Sequence, residues 1–183
     1  MVEKAVAFAA KCHEGTCRKG THIPYIVHPL ETAVIASLMT ADQELICAAL
    51  LHDVIEDAGV TKSQLEEEFG SRVAQLVMEE TEDKTKSWKE RKSATLKHLE
   101  HASEEIKILV LADKLSNLRS TARDYLLIGD EIWKRFNEKD KAQHAWYYLN
   151  IAQHLCEIEK FAAYQEYKIL CEQEYGKNHK YEM

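Results

Sequence analysis

The sequence predicts an all-α fold, and three observations carry that prediction. The chain of 183 residues holds only six glycines and two prolines, too few turn-formers for the many short strands of a β protein. Its apolar residues, 45% of the total, recur at three- and four-residue spacing, the repeat of a helix with one buried face. Period-two alternation, which a half-solvated strand needs, is nowhere sustained.

Taken in order, residues 2–14 carry Val2, Ala5, Val6, Ala9 and Ala10 at helical spacing. Residues 15–27 (GTCRKGTHIPYIV) read as a loop, with two glycines and a proline. Pro29 suits the first turn of a helix, where its missing N–H has no intrahelical partner, and that helix is expected to run to about Thr40. Asp42 caps a helix expected to continue to Asp57, before Ala58 and Gly59. Thr61 with Gln64 has capping-box spacing and opens a helix ending at Phe69 and Gly70, and residues 71–80 form another. The stretch 82–91 (EDKTKSWKER) reads as charged and solvated, with Trp88 as its apolar anchor. Helices follow over about 92–101, 104–119, 139–157 and 158–174, and the polar tail from Gly176 is expected to fray. No linker or repeat divides residues 1–183, so one domain is expected.

Lys and Arg total 24 against 31 Asp and Glu, a formal charge of −7. A surface of that sign repels polyanions, so neither nucleic acid nor an anionic membrane is an expected partner. A small phosphorylated metabolite is compatible, given a few basic side chains and a metal inside a pocket. The five cysteines are scattered without a CxxC pair, which suits reduced structural thiols. The N-terminal apolar stretch is short and carries Glu3 and Lys4, and no run approaches the ~18 apolar residues of a membrane span. A cytoplasmic location is the expectation.

Chemistry concentrates in three segments. In ICAALLHDVIED (46–57), a continuous helix at about 100° per residue sets Asp53, Glu56 and Asp57 within about 140° of His52. Three carboxylates and an imidazole then share one arc of an apolar helix, which is costly unless a cation offsets them. A final helical turn reaching solvent accounts equally well for Glu56 and Asp57. In IKILVLADKLSNLR (106–119), Asp113 continues the core stripe of Ile106, Leu109 and Val110 where leucine is expected, and Asn117 extends the interruption by one turn. Either an ion pair or a metal would satisfy that carboxylate. The third segment, PYIVHPLETA (24–33), places His28 just before Pro29. His13, His22, His98, His101, His154 and His179 read as surface or packing residues.

These segments in order, PYIVHPLETA, AALLHDVIEDAGVT, FGSRVAQLV and LVLADKLSNLR, resemble the hydrolase domain of the RelA/SpoT family. The likeness is closest to its small stand-alone alarmone hydrolases, and spans about Arg18 to Arg119. It implies an HD-domain helical bundle with one manganese ion on His28, His52, Asp53 and Asp113, and Glu56 with Asp57 as the catalytic acidic pair. It also implies nucleotide contacts from Arg18 and Lys19, and a ribose contact from Asn117. The implied reaction is hydrolysis of guanosine 3′,5′-bis(diphosphate), (p)ppGpp, at its 3′-pyrophosphate. The alternative is an HD phosphohydrolase acting on another nucleotide. A sensor without turnover is disfavoured by the intact acidic pair. The sequence departs from the family at MEETEDKTKSWKERK (78–92), where longer relatives carry a Gly-Val-Thr-Lys stretch. There the lysines and arginines of 84–92 read as a solvated face rather than a phosphate clamp. The C-terminal extension, about 130–175, groups Arg135, His144, Trp146, Tyr147 and Tyr148, read as packing rather than a nucleotide cover.

Overall fold

The computed structural model describes residues 1–176; the expectation for the polar tail concerns residues beyond these. Among the described residues there is no strand, only an isolated bridge between Cys17 and Pro24 that ties the loop after the first helix. The helices are α1 (Val2–Cys12), α2 (Val27–Ser37), α3 (Gln43–Leu51), α4 (Val54–Ala58) and α5 (Lys62–Phe69). They continue as α6 (Ser71–Glu80), α7 (Trp88–Leu99), α8 (Glu104–Ile128), α9 (Lys141–His154) and α10 (Ala162–Tyr175), with 3₁₀ turns at Gly129–Arg135 and Cys156–Ile158.

Local signals explain most boundaries. The Asp42 carboxylate accepts the Glu44 N–H at 2.9 Å and starts α3. Thr61 and Gln64 close a reciprocal capping box on α5. Pro29 lies within the first turn of α2. Helix α10 begins at Ala162 rather than at 158, after the 3₁₀ turn at Cys156–Ile158, and two other boundaries differ from the sequence reading for clear local reasons. Helix α7 begins at Trp88, because Ser87 and Glu90 form a second capping box inside the charged stretch. Helix α8 runs on to Ile128, because nothing interrupts it before Gly129, whose φ of 56° only glycine adopts readily.

One further difference matters for function. The helix expected over 42–57 is two helices, broken at His52 and Asp53. The break frees the Ala49 carbonyl, and the His52 ring takes it at 2.8 Å. Angular positions on one continuous helix therefore do not describe the His52–Asp57 cluster.

Helix α8 is the axis. Ile108, Leu109, Val110, Leu111, Ala112, Leu115 and Leu118 are all buried, so the helix is apolar nearly all round, as a helix enclosed by others must be. It packs against α2, α3, α6 and α10, and α2 and α3 also lie against each other. Charged clamps fix these neighbours: Arg119 on α8 bonds Glu31 of α2 at 3.1 Å and Glu166 of α10 at 2.6 Å. Inside this enclosed bundle Asp113 is only 5% exposed.

Candidate active site

Three buried side chains from α2, the α3–α4 break and α8 meet at one point. The donor atoms of His28, His52 and Asp113 all lie within 4.8 Å of one another. His28 Nε2 is 3.1 Å from His52 Nε2 and 3.1 Å from Asp113 Oδ1, while Asp53 Oδ2 is 3.0 Å from His52 Nε2. The far side of each ring sets its tautomer. The His52 Nδ1–H donates to the Ala49 carbonyl, which can only accept. The Ser116 hydroxyl donates to Glu31 at 2.9 Å, so it accepts the His28 Nδ1–H at 2.8 Å. In their neutral forms both rings thus point bare nitrogen lone pairs at each other, flanked by two carboxylates. That arrangement is repulsive without a cation at its centre. Two imidazoles and two carboxylates form a mixed nitrogen–oxygen set suited to a divalent first-row metal.

Neighbouring groups orient the carboxylates. The Tyr25 hydroxyl donates to Asp53 Oδ2 at 2.6 Å. The Asn117 amide donates to Asp113 Oδ1 at 2.6 Å, and Lys114 pairs with Oδ2 of the same carboxylate. Burial alone would raise the Asp113 pKa, but Lys114 and the two imidazoles hold it well below the usual carboxylate range. Burial likewise opposes a charge on His52, yet Asp53 and Asp113 prevail and lift its pKa well above the usual imidazole value. A metal must therefore displace a proton from this site. We expect metal affinity to rise roughly tenfold per pH unit below that raised pKa, checked by metal titrations at pH 6, 7 and 8; a flat profile would contradict the shared site.

The structure places Glu56 and Asp57 on α4 at the edge of this centre. Glu56 Oε1 accepts the Glu82 N–H at 2.8 Å, and burial pushes its carboxyl up. Asp57 pairs with Lys84 at 2.7 Å. Arg18 donates to Asn117 Oδ1 at 2.6 Å, so the loop after α1 reaches the same α8 amide that bonds Asp113. Lys19 is more peripheral, 3.4 Å from Asn137. Gly20 is required beside them: a Cβ there would lie 2.4 Å from the Arg135 side chain.

Every site residue expected from the sequence, from His28, His52, Asp53 and Asp113 to Glu56, Asp57, Arg18, Lys19 and Asn117, lines one cavity of about 530 Å³, a volume in the range of small-molecule sites. Its wall corrects two readings of the sequence. Arg91 and Lys92 line it half-buried rather than joining a solvated face, because Glu82 turns inward and pairs with them at 2.6 Å each; Lys84 reaches it from the exposed side through Asp57, and Lys86 and Lys89 are exposed as expected. His144, Tyr147 and Tyr148 both pack and line the cavity, so packing and cover are one role.

Tyr25, Glu80 and Lys114 escaped the sequence reading. Tyr25 lies inside the PYIVHP segment and Lys114 directly follows Asp113, so both were within reach. Glu80 had a fainter signal: a carboxylate in the last turn of α6 opposes the helix dipole.

Comparison with known proteins agrees with this geometry. Residues 5–138 match the family model described as HD domain. The chain is 41% identical over 126 residues to the guanosine-3′,5′-bis(diphosphate) 3′-pyrophosphohydrolase MESH1 of Xenopus tropicalis, covering 67% of this chain and 70% of that protein. It is 40% identical over 123 residues to the human protein of the same name, covering 66% and 69%. Among solved structures, lmo0812 of Listeria monocytogenes superposes with a TM-score of 0.75 at 34% identity, over 82% of this chain and 99% of that one. A metazoan orthologue of SpoT, described as hydrolysing ppGpp, superposes with a TM-score of 0.79 at 26% identity, over 96% of each chain. The chain belongs to the HD-domain family, among relatives named as guanosine-3′,5′-bis(diphosphate) 3′-pyrophosphohydrolases.

Proposed function

We propose that this protein hydrolyses guanosine 3′,5′-bis(diphosphate), or its 5′-triphosphate form, at the 3′ position, releasing pyrophosphate and GDP or GTP. The observation that carries this reading is the convergence of His28, His52 and Asp113, with Asp53 Oδ2 within 3.5 Å of both imidazoles, in the wall of a nucleotide-sized cavity that also holds the acidic pair. The names of the relatives supply the substrate class.

In this reading His28, His52, Asp53 and Asp113 hold one divalent ion, for which manganese suits the donor set. Such an ion lowers the pKa of bound water and offsets charge developing on the phosphoryl group. Glu56 is the better placed base for the attacking water: burial raises its carboxyl toward the working pH, and one of its oxygens is anchored by the Glu82 N–H. Asp57, held by Lys84, serves proton transfer toward the leaving 3′ oxygen. Arg18 and Lys19 take the nucleotide and Asn117 the ribose, with Arg18 able to fork onto a phosphate or stack on a base. A small nucleotide rather than a nucleic acid fits a chain of net charge −7 whose basic side chains gather inside the cavity. No helix among the described residues is long and apolar enough to cross a membrane. A cytoplasmic setting is supported by the unpaired state of all five cysteines.

Purified, metal-loaded protein is expected to release pyrophosphate from (p)ppGpp and to stop when chelated. Orthophosphate release from a broad set of nucleotides, or no release at all with metal present, would overturn the assignment.

A further inference from the structure

Behind His28, on the side away from the cavity centre, lies a row of polar groups that the proposed chemistry does not use. Ser116, on α8 and 1% exposed, stands between the His28 ring and the Glu31 carboxylate of α2, 2.8 Å from His28 Nδ1 and 2.9 Å from Glu31 Oε2. The other oxygen of Glu31 accepts from Arg119 Nη1 at 3.1 Å. Arg119 turns its remaining edge to α10, where Nε and Nη2 fork onto the carboxylate oxygens of Glu166 at 2.6 Å each. One chain of hydrogen bonds thus runs from a metal-type donor to α10, outside the segments that carry the family resemblance.

The direction of that chain is dictated from its outer end. A guanidinium only donates and a carboxylate only accepts, whereas a hydroxyl does either. Glu31 therefore takes hydrogens from both neighbours. The Ser116 hydroxyl gives its single hydrogen to Glu31, and what remains for His28 is a lone pair. The neutral His28 ring then carries its proton on Nδ1 and turns a bare Nε2 toward His52 and Asp113. A chain running the other way would put the proton on Nε2, and His28 would then be unable to ligate a cation. Ser116 alone cannot choose between the two. A carboxylate one hydroxyl away also draws the Nδ1 proton outward, which makes Nε2 a stronger donor to a metal.

We infer that Glu31 and Arg119 are positioning residues for the metal site: through Ser116 they fix the tautomer of His28, and Glu166 ties that setting to α10. The inference rests on the metal site of the proposed function and not on its substrate. A space of about 30 Å³ adjoins Ser116, Glu31 and His28, enough for one water to stand in for a truncated Ser116, so the decisive changes are at Glu31 and Arg119. In Glu31→Gln the shape is kept but the chain is no longer one-way. Arg119 demands the amide oxygen, which leaves the amide NH₂ for Ser116. The hydroxyl is then released toward His28 Nδ1, and the ring proton moves to Nε2, facing the place of the ion.

The test reads manganese affinity by competition with a chelating indicator, and reads the His28 tautomer from imidazole nitrogen NMR shifts of the metal-free protein at about pH 8. Glu31→Gln is expected to weaken manganese about 10–100-fold and to move the His28 proton from Nδ1 to Nε2. Arg119→Met leaves the carboxylate in place and is expected to hold manganese affinity within about threefold, although it melts lower for want of the Glu166 pair. In the double variant the amide is free to turn its oxygen to Ser116, and at least about fivefold of the lost affinity should return. A merely structural role gives the opposite order, with the double variant binding no better than Glu31→Gln. An unchanged affinity or tautomer in Glu31→Gln, or no recovery in the double variant, would overturn the relay. A wild type that binds no manganese would sink the metal site and the relay with it, whereas manganese binding without release from (p)ppGpp would sink the substrate alone.

Discussion

Replacing Asp53 with alanine is expected to strip the divalent ion from the protein and abolish turnover, whereas Glu56→Ala keeps the ion and loses only rate. The two residues stand three positions apart, but the break between α3 and α4 gives them different neighbours. Asp53 Oδ2 lies 3.0 Å from His52 Nε2 and 3.5 Å from His28 Nε2, and is fixed from outside by the Tyr25 hydroxyl. Removing it leaves two imidazoles with a single carboxylate. Disturbing groups that merely orient metal ligands costs 10–100-fold in affinity, so loss of a ligand should cost more than about a hundredfold. Glu56 instead bonds the Glu82 N–H at 2.8 Å and lies 3.6 Å from Lys84. Its loss removes a proton acceptor, an effect on the order of 10²–10⁴ in rate. Elemental analysis of both variants beside initial rates separates the two roles, and equal metal loss in both would show that Glu56 is itself a ligand.

That difference between Asp53 and Glu56 also marks the limit of what periodicity could reveal. Where a boundary rests on a local hydrogen bond, as at Asp42 or Thr61, residue type and spacing were sufficient. The break at His52 rests on a ring nitrogen capturing a carbonyl three residues earlier, which no pattern of apolar residues reports. A helical wheel put the acidic residues on one arc, and the clustering was real although its geometry was not. Part of the segment 82–91 was misread for a different reason. Its Ser87 and Glu90 carry an ordinary capping signature, but the density of charge around them read as solvation. Charge density says nothing about direction, and Glu82 sends Arg91 and Lys92 inward. Helix α8 was legible in type and in its one misplaced carboxylate. Glu80, by contrast, carried only a faint local signal, because its environment is assembled from α8 and the α3–α4 break, far away in sequence.

Lys114 holds that assembled environment together, and Lys114→Met is expected to be among the most destabilising single changes in the chain. Methionine keeps most of the aliphatic stem and removes only the charge, so packing is little disturbed. The ammonium is mostly buried, at 13% side-chain exposure, and it is the cation shared by Asp113, Glu80 and Glu82. Taking away one partner of a buried pair costs about 3–5 kcal/mol, because the remaining charge is left uncompensated. At roughly 2–4 °C per kcal/mol for a chain of this size, the metal-free variant should melt about 10 °C below the wild type. The deficit should also depend on pH, with a sign fixed by Glu80. Its carboxyl already titrates above the ordinary range in the folded protein, at about 7. A raised acid weakens the fold once pH exceeds the unfolded pKa, and the penalty is complete above the folded one. Without Lys114 the folded pKa climbs further, so the gap between variant and wild type should widen from pH 6 to pH 8. Divalent metal added back should narrow it, since an ion on Asp113 replaces part of the lost positive charge. Thermal melts at both pH values, with and without metal, measure each quantity. A deficit under about 2 °C would mean that Asp113 and Glu80 do not depend on Lys114.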